Sequence, residues 1–296
     1  MKLPTLSNGA RTKTSERPVK VYAAPGVPSE RLLPPATIWT RIKANMGMAQ
    51  ITLINLTVFF LLWEYTAYLE VFPSIFFPGP SDIAREYVDM IADGSLARHA
   101  SYTFRNIAIG FTIAATLGVT IGLAAGTMRW LNTILSPYYW SLNAMPNLAI
   151  LPLIILWFGF GAESKIILIV LNATLPILIN TLAGVSTVDQ SLIRVARSLN
   201  ASRVQRFWKI VIPYTLPFIL TGFKLGLSSA LTAAVISEML GSSRGLGYVI
   251  IRKVEAFNPA GVFAMLLLLA AVALIMVNTM QALQYKVTPW ARHVRL

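Results

Sequence analysis

Few side chains in this sequence can make or break bonds, and their spacing excludes most reactions. None of its 296 residues is a cysteine, which rules out disulfides, thiolate metal sites and cysteine nucleophiles. The two histidines, His99 and His293, lie too far apart in sequence to suggest a His-based metal site. No Gly-x-x-x-x-Gly-Lys-Ser/Thr loop is present to cradle a nucleotide, and no His-Glu-x-x-His or Gly-x-Ser-x-Gly run to support hydrolysis. What remains is a set of polar groups inside long apolar runs: Asn143 and Asn147 around Pro146, then Asn172, Ser228, Ser229 and Thr232. Such groups are costly in hydrocarbon and face protein or water. Asn143, Asn147, Asn172, Ser228 and Thr232 are candidates to line a solute path; they are equally candidates to hydrogen-bond a neighbouring helix.

Those runs must be membrane helices. The chain is 55% apolar and 12% charged, with a mean hydropathy of +0.63, where soluble chains carry about 25% charged residues. Crossing a bilayer takes roughly 20 mostly apolar residues. Six stretches meet that need: Ile51 to Tyr68, Ile107 to Met128, Ile134 to Phe158, Ile166 to Val185, Leu216 to Leu240 and Val262 to Leu283. Pro137, Pro146 and Pro152 interrupt the third, which is therefore expected to face protein that satisfies its freed carbonyls. Residues 1–48 are polar and proline-rich, without the apolar core of a signal peptide. They read as a loosely attached tail, before a transmembrane domain over 49–285 and a basic tail over 286–296. The sequence thus predicts an all-α integral membrane protein of six spans.

The net charge of +13 would suggest nucleic acid on a soluble protein. Here its distribution matters more. Lys and Arg accumulate on the cytoplasmic side of membrane proteins. With both termini inside, seventeen of the 25 basic residues fall on that side and seven outside, with Lys224 within the fifth span. Lys165 counts among the outer seven. Attraction to anionic lipid headgroups accounts for the terminal clusters, and no nucleic-acid partner is expected.

Other features concern packing. Gly118, Gly122 and Gly126 in the second span, and Gly222 and Gly226 in the fifth, let helix backbones approach closely. Close packing alone explains them better than a moving pathway does. Glu64 among Trp63, Tyr65 and Tyr68 reads as part of an interfacial belt. After the turn-rich Pro73 to Pro80, Ser81 and Asp82 offer an N-cap. Ile83, Tyr87, Val88 and Ile91 then give an amphipathic outer helix, ending near Gly94, that is expected to lie on the membrane surface.

The most informative segment is the loop 189–213, DQSLIRVARSLNASRVQRFWKIVIP. Leu192, Val195, Ala196 and Leu199 form one apolar helical face. Asn200 tolerates the left-handed conformation that ends a helix, and Ser202 can cap a second one carrying Val204, Phe207, Trp208 and Val211 before Pro213. Two short amphipathic helices with no partner in so short a loop imply another chain. Lying against headgroups, held by five basic residues, is the other reading.

This loop resembles the signature of the permease subunits of bacterial ABC importers, in the branch handling nitrate, sulfonates, taurine and bicarbonate. That signature is Glu-Ala-Ala, three residues, Gly, nine residues, Ile-x-Leu-Pro. Arg194, Val195 and Ala196 occupy the first places, Asn200 the glycine, and Ile210, Ile212 and Pro213 the end. Arg194 replaces the usual acid, so any salt bridge of that acid is lost or reversed in sign; Asn200 for Gly is mild. The resemblance runs from about Phe72 to the C-terminus through Phe77-Pro78-Gly79-Pro80, Leu151 to Gly159, Glu238-Met239-Leu240-Gly241 and Gly245-Leu246-Gly247. It implies the ABC importer permease fold in a bacterial inner membrane. Two permease copies form the pathway, a separate ATP-binding subunit carries ATP and Mg, and a periplasmic or lipid-anchored binding protein delivers a small, anionic solute. The chain itself would hold no cofactor and catalyse nothing. The loop would be a coupling helix docking the ATPase through Arg194, Val195, Ala196, Arg197, Asn200, Ala201, Ser202 and Arg203. A secondary transporter or channel is the rival, though it leaves the two-helix loop without a role.

Overall fold

The structure, a computed structural model, describes residues 38–69, 73 and 76–290, with side chains from residue 50 onward. Residues 1–37 of the expected N-terminal tail, residues 70–72 and 74–75, and residues 291–296 of the basic tail lie outside the described residues. Of two compact units, the first (Met1–Val58) contributes the start of α1 (Ile38–Tyr68); the remaining helices belong to the second, Phe59–Leu296. In order they are α2 (Pro80–Ala92), α3 (Ser95–Thr127), α4 (Arg129–Ala144), α5 (Leu151–Phe158), α6 (Ala162–Ser186) and α7 (Gln190–Ser198). Then come α8 (Arg203–Arg206), α9 (Ile212–Gly241), α10 (Leu246–Glu255) and α11 (Pro259–Val287). No strand occurs among the described residues.

Among the described residues, five helical stretches are long and apolar enough to cross a membrane: Gln50–Tyr68, Ser95–Thr127, Ala162–Ser186, Arg203–Gly241 and Pro259–Val287. The expected third span is instead a broken pair, α4 followed by a 3-10 turn and α5, bent by 86°. Pro146 causes the break. It lacks an N–H and disfavours helix at the residue before it; Met145 is extended, at φ −81 and ψ 141.

The core is a three-helix layer with α6 in the middle. Gly110, Gly118, Gly122 and Gly126 of α3 oppose Ile169, Ile177, Thr181 and Val185 of α6 at a constant sequence offset, so α3 and α6 run parallel. On the other side Gly226 faces Ala173 and Ile177 while Gly184 faces Thr215 and Phe218, so α9 runs antiparallel to α6. Ile177 is wedged between both glycine sets: a methyl group at Gly118 or at Gly226 would stand 2.7 Å from it. Dispersion attraction between closely approaching backbones holds such a layer together, because hydrocarbon offers no hydrophobic drive between helices. The tandem glycines therefore serve packing, as expected.

One end of this layer carries α2 and α10, the other α7. The amphipathic helix α2 packs on protein. Ile83 and Met90 are buried with Leu246, Ile250, Ala264 and Met265, and the Tyr87 hydroxyl donates to Ala264 O, while Val88 and Ile91 stay exposed. Its N-cap is Gly79, with Pro80 as first helical residue, not Ser81 or Asp82. Proline suits that position because its missing N–H would be unpaired anyway. Glu64 supplies the capping carboxylate from α1, accepting from Ser81 N at 3.0 Å, and Trp63 Nε1 donates to Pro78 O at 3.0 Å. A Trp63–Phe77–Phe263 cluster, centroids 5.6–6.3 Å apart, fixes the Phe-Pro-Gly-Pro stretch.

Candidate functional site: an open loop and a buried clasp

The 189–213 loop is ordered by its own capping groups. Asp189 accepts from Ser191 N at 2.7 Å and starts α7; hydrogen bonds from Ser191 hold its exposed carboxyl below the ordinary carboxylate range. Asn200, at φ 57, ends it: Asn200 N donates to Arg197 O and Ala201 N to Ala196 O, both at 2.9 Å, which is the Schellman pattern. Ser202 and Gln205 then form a reciprocal capping box, with bonds of 3.2 and 2.8 Å. Asn200 and Ser202 thus act as their residue types suggest. The second helix of the loop, however, is not separate. α8 continues through a π-helical turn, Phe207–Val211, directly into α9. Proline within a helix clashes with the carbonyl four residues back. The wider turn lies over Lys209, the residue in that position relative to Pro213, and lets the helix run on.

No residue of α7 is buried. Its apolar face stays open, with Leu192, Val195 and Leu199 46, 59 and 77% exposed. Leu192, Val195, Ala196 and Leu199 line a groove of about 430 Å³ with Lys209, Ile210, Pro213, Tyr214 and Trp290. Arg194, Arg197, Asn200, Ser202 and Arg203 are also exposed, and Ala201 is half-exposed. Sequence reasoning did not select Lys209, Tyr214 or Trp290 for this groove; Trp290 lies 91 positions beyond Leu199 in the chain.

The polar residues inside the apolar runs divide. Asn143 and Asn147 flank the 86° bend, exposed and half-exposed. Ser228 and Thr232 share an exposed row of α9, where the Thr232 hydroxyl donates to Ser228 O at 3.1 Å. Asn172 is half-buried and donates its amide to Leu168 O, at 2.9 Å, one turn back in its own helix.

At the opposite end two fully buried charged side chains appear that sequence reasoning did not select. Lys165, counted above as an outer surface charge, is wholly enclosed. Its ammonium donates to Phe160 O at 2.8 Å, to Ser164 Oγ at 3.3 Å and to Gly241 O. It therefore joins the end of α5, the start of α6 and the carboxyl end of α9, where a positive charge complements the helix dipole. Glu238, one turn before that end of α9, does the converse for α10. The first turn of a helix leaves its N–H groups without intrahelical partners. Here Gly245 N donates to His99 Nδ1 (3.1 Å), Leu246 N to Thr103 Oγ1 (2.9 Å) and Gly247 N to Glu238 Oε2 (3.1 Å). Thr103 Oγ1 in turn donates to Glu238 Oε2 at 2.9 Å. Gly245, at φ 109, turns the chain into this contact in a conformation L side chains rarely adopt.

Residues 118–289 match the family of binding-protein-dependent transport system inner membrane components. The chain belongs to that family. It is 33% identical over 246 residues to the taurine transport system permease protein TauC of Escherichia coli (strain K12), covering 81% of this chain and 90% of that one. It is 35% identical over 233 residues to the putative aliphatic sulfonates transport permease protein SsuC of Bacillus subtilis (strain 168), covering 79% and 84%. Among solved structures, one of the inward-facing MetNI methionine ABC transporter superposes with a TM-score of 0.54 at 17% identity, over 63% of this chain and 94% of that one, a likeness of fold.

The permease is therefore a multi-pass membrane subunit of an ABC importer, working with an ATP-binding subunit and a substrate-binding protein. The rival secondary transporter or channel has no place in this family. Glu238-Met239-Leu240-Gly241 and Gly245-Leu246-Gly247, visible as motifs, now have a physical content: the permease uses them to seat α10 on α3 and α9. No local sequence signal marks Lys165 as buried: its acceptor Gly241 O lies 76 residues away in the chain.

Proposed function

We propose that this permease carries a small sulfonate-like anion inward across a bacterial inner membrane, as a second copy of itself pairs with it and a separate ATPase binds at the 189–213 loop. The exposed apolar face of α7 carries the proposal. An unpartnered row of Leu192, Val195 and Leu199, on a helix capped at both ends and beside a 430 Å³ apolar groove, is the form of a helix seated in another chain. Val195, Ala196, Asn200, Ala201, Ser202 and Arg203 contact the ATPase, with Arg194 and Arg197 at the rim. ATP and Mg stay on that partner, and this chain contributes no cofactor site.

The topology of this reading is six spans with both termini in the cytoplasm. It is supported by the parallel run of α3 and α6, which requires the chain between them to return from the α7 end to the α10 end, so that the bent α4–α5 pair counts as one span. The bias of Lys and Arg supports the same orientation. The two sulfonate-handling relatives support the solute class. The unburied Asn143, Asn147, Ser228 and Thr232 are the path-lining groups of this reading, with the half-buried Asn172 behind them.

The test is Ala196→Asp. An unpaired carboxylate in a packed contact costs about 2–5 kcal/mol, so the ATPase should no longer co-purify and ATP-dependent sulfonate uptake in proteoliposomes should stop. Unchanged co-purification and uptake would overturn the docking assignment.

A further inference from the structure

Glu238 sits in an unusual position for a membrane acid: fully buried, one turn from the end of α9, with one oxygen serving two donors and the other, Oε1, without a partner among the described residues. Both of its donors belong to other elements, Thr103 to α3 and Gly247 to α10. Thr103 is itself shared, receiving Leu246 N while donating to the carboxylate. Apolar packing around the cluster is continuous, since Leu246 and Ile250 of α10 are buried against Met265 of α11 and Ile83 of α2. One carboxylate thus joins α3 to the first turn of α10 by directed bonds.

We propose that Glu238 is a positioning residue that makes α10 ride with α3 and α9 as one body throughout the transport cycle. A helix of only ten residues, with Gly245 just before it and Gly247 in its first turn, has little intrinsic stability. Its orientation must come from the groups that receive its first N–H donors, and Glu238 with Thr103 supplies two of the three. A carboxylate at a helix N-terminus is also favourable to the dipole. When the far ends of α3 and α9 move with the ATPase, α10 then moves as a rigid extension of them, without opening from the bundle. The inference depends on membership of the importer family and not on which solute is carried or how the 189–213 loop docks.

The absence of cysteine makes the test direct. Ile250→Cys places one thiol on α10 at a site 5% exposed, and its rate of reaction with a small water-soluble maleimide reports whether α10 is seated. The purified permease–ATPase complex is labelled without nucleotide and with ATP plus vanadate. In the parent, labelling is slow in both states. Glu238→Met, which keeps the bulk and removes the acceptor, and Thr103→Val speed it about tenfold or more, as expected when local opening becomes accessible. Thr103→Ser, which keeps the hydroxyl, leaves it at the parental rate. Thr103→Val leaves the carboxylate with its Gly247 bond, so it carries the test should Glu238→Met fail to assemble. Fast labelling of the parent in the vanadate state would overturn the proposal, because α10 would then open during the cycle. Parental rates in both Glu238→Met and Thr103→Val would overturn it as well, because packing alone would hold the helix.

Discussion

The two ends of the α3–α6–α9 layer solve opposite problems. At the α10 end, charged groups are enclosed and their hydrogen bonds run between helices: Lys165 to Gly241, Thr103 to Glu238, Gly245 to His99. At the α7 end, every capping bond of the loop is local, within two to five residues, and the apolar face is left open. The first end holds itself together; the second is a rigid part whose stabilising contacts lie on another chain. Polar residues mean different things in the two places. A buried ammonium must be compensated by its acceptors, whereas Asp189, Asn200 and Ser202 only shape a backbone that water already solvates.

The comparison breaks most sharply at Lys165. Replacing it by Met keeps the length and removes the ammonium, leaving Phe160 O and Gly241 O without their donor. Each unsatisfied carbonyl in such a site costs about 1–3 kcal/mol. The detergent-purified permease should melt well below the parent. Ala196→Asp should show the reverse signature, parental melting with loss of the ATPase, because Ala196 has no side-chain role in holding its own loop. Equal melting of Lys165→Met and parent would mean that the enclosed end is held by packing alone.

Asn200 tests the open end more finely. At φ 57 it holds a conformation that asparagine visits at small cost and a β-branched residue resists. Asn200→Val should destabilise the α7 turn by about 1–2 kcal/mol, seen as faster proteolysis within the loop with global melting unchanged. Asn200→Gly should leave the loop as resistant as the parent. This residue also marks what was legible in the sequence. The caps of the 189–213 loop, its helix-ending asparagine and the glycine spacing act over one or two turns or through one face, so residue type and spacing suffice to read them, whereas the cap of α2 was misread because its carboxylate, Glu64, comes from α1. The pairing of Lys165 with Gly241 or of Thr103 with Glu238 was not legible, because those partners meet only once α3, α6 and α9 are assembled. A rule that sorts lysines by the nearest apolar run necessarily placed Lys165 outside. The 86° bend at Pro146 and the continuation of α8 into α9 were misjudged for a related reason. A proline announces that a helix is disturbed, while the neighbouring turns decide whether it bends, as at Met145, or widens and continues, as over Phe207–Val211.

The smallest effect lies at the rim of the enclosed end, where α2 meets the α10–α11 turn. Glu86 accepts from Lys253 Nζ at 2.6 Å and from Asn258 Nδ2, and Asn258 Oδ1 in turn caps α11 through Gly261 N at 2.9 Å. Burial raises the pKa of Glu86, but the hydrogen bonds from Asn258 and Lys253 and the charge of Lys253 outweigh it and hold it below the ordinary value of 4.5. A carboxyl with a depressed pKa contributes stability above its unfolded value and loses it as the pH falls through the folded one. Glu86→Gln should therefore melt lower than the parent at neutral pH by only about 1 kcal/mol, since water still reaches the pair. That gap should persist into mild acid and close only below the ordinary carboxylate value. A gap that closed near neutrality, well above where a carboxyl held below its ordinary value titrates, would overturn the assignment of this stability to the Glu86 carboxylate.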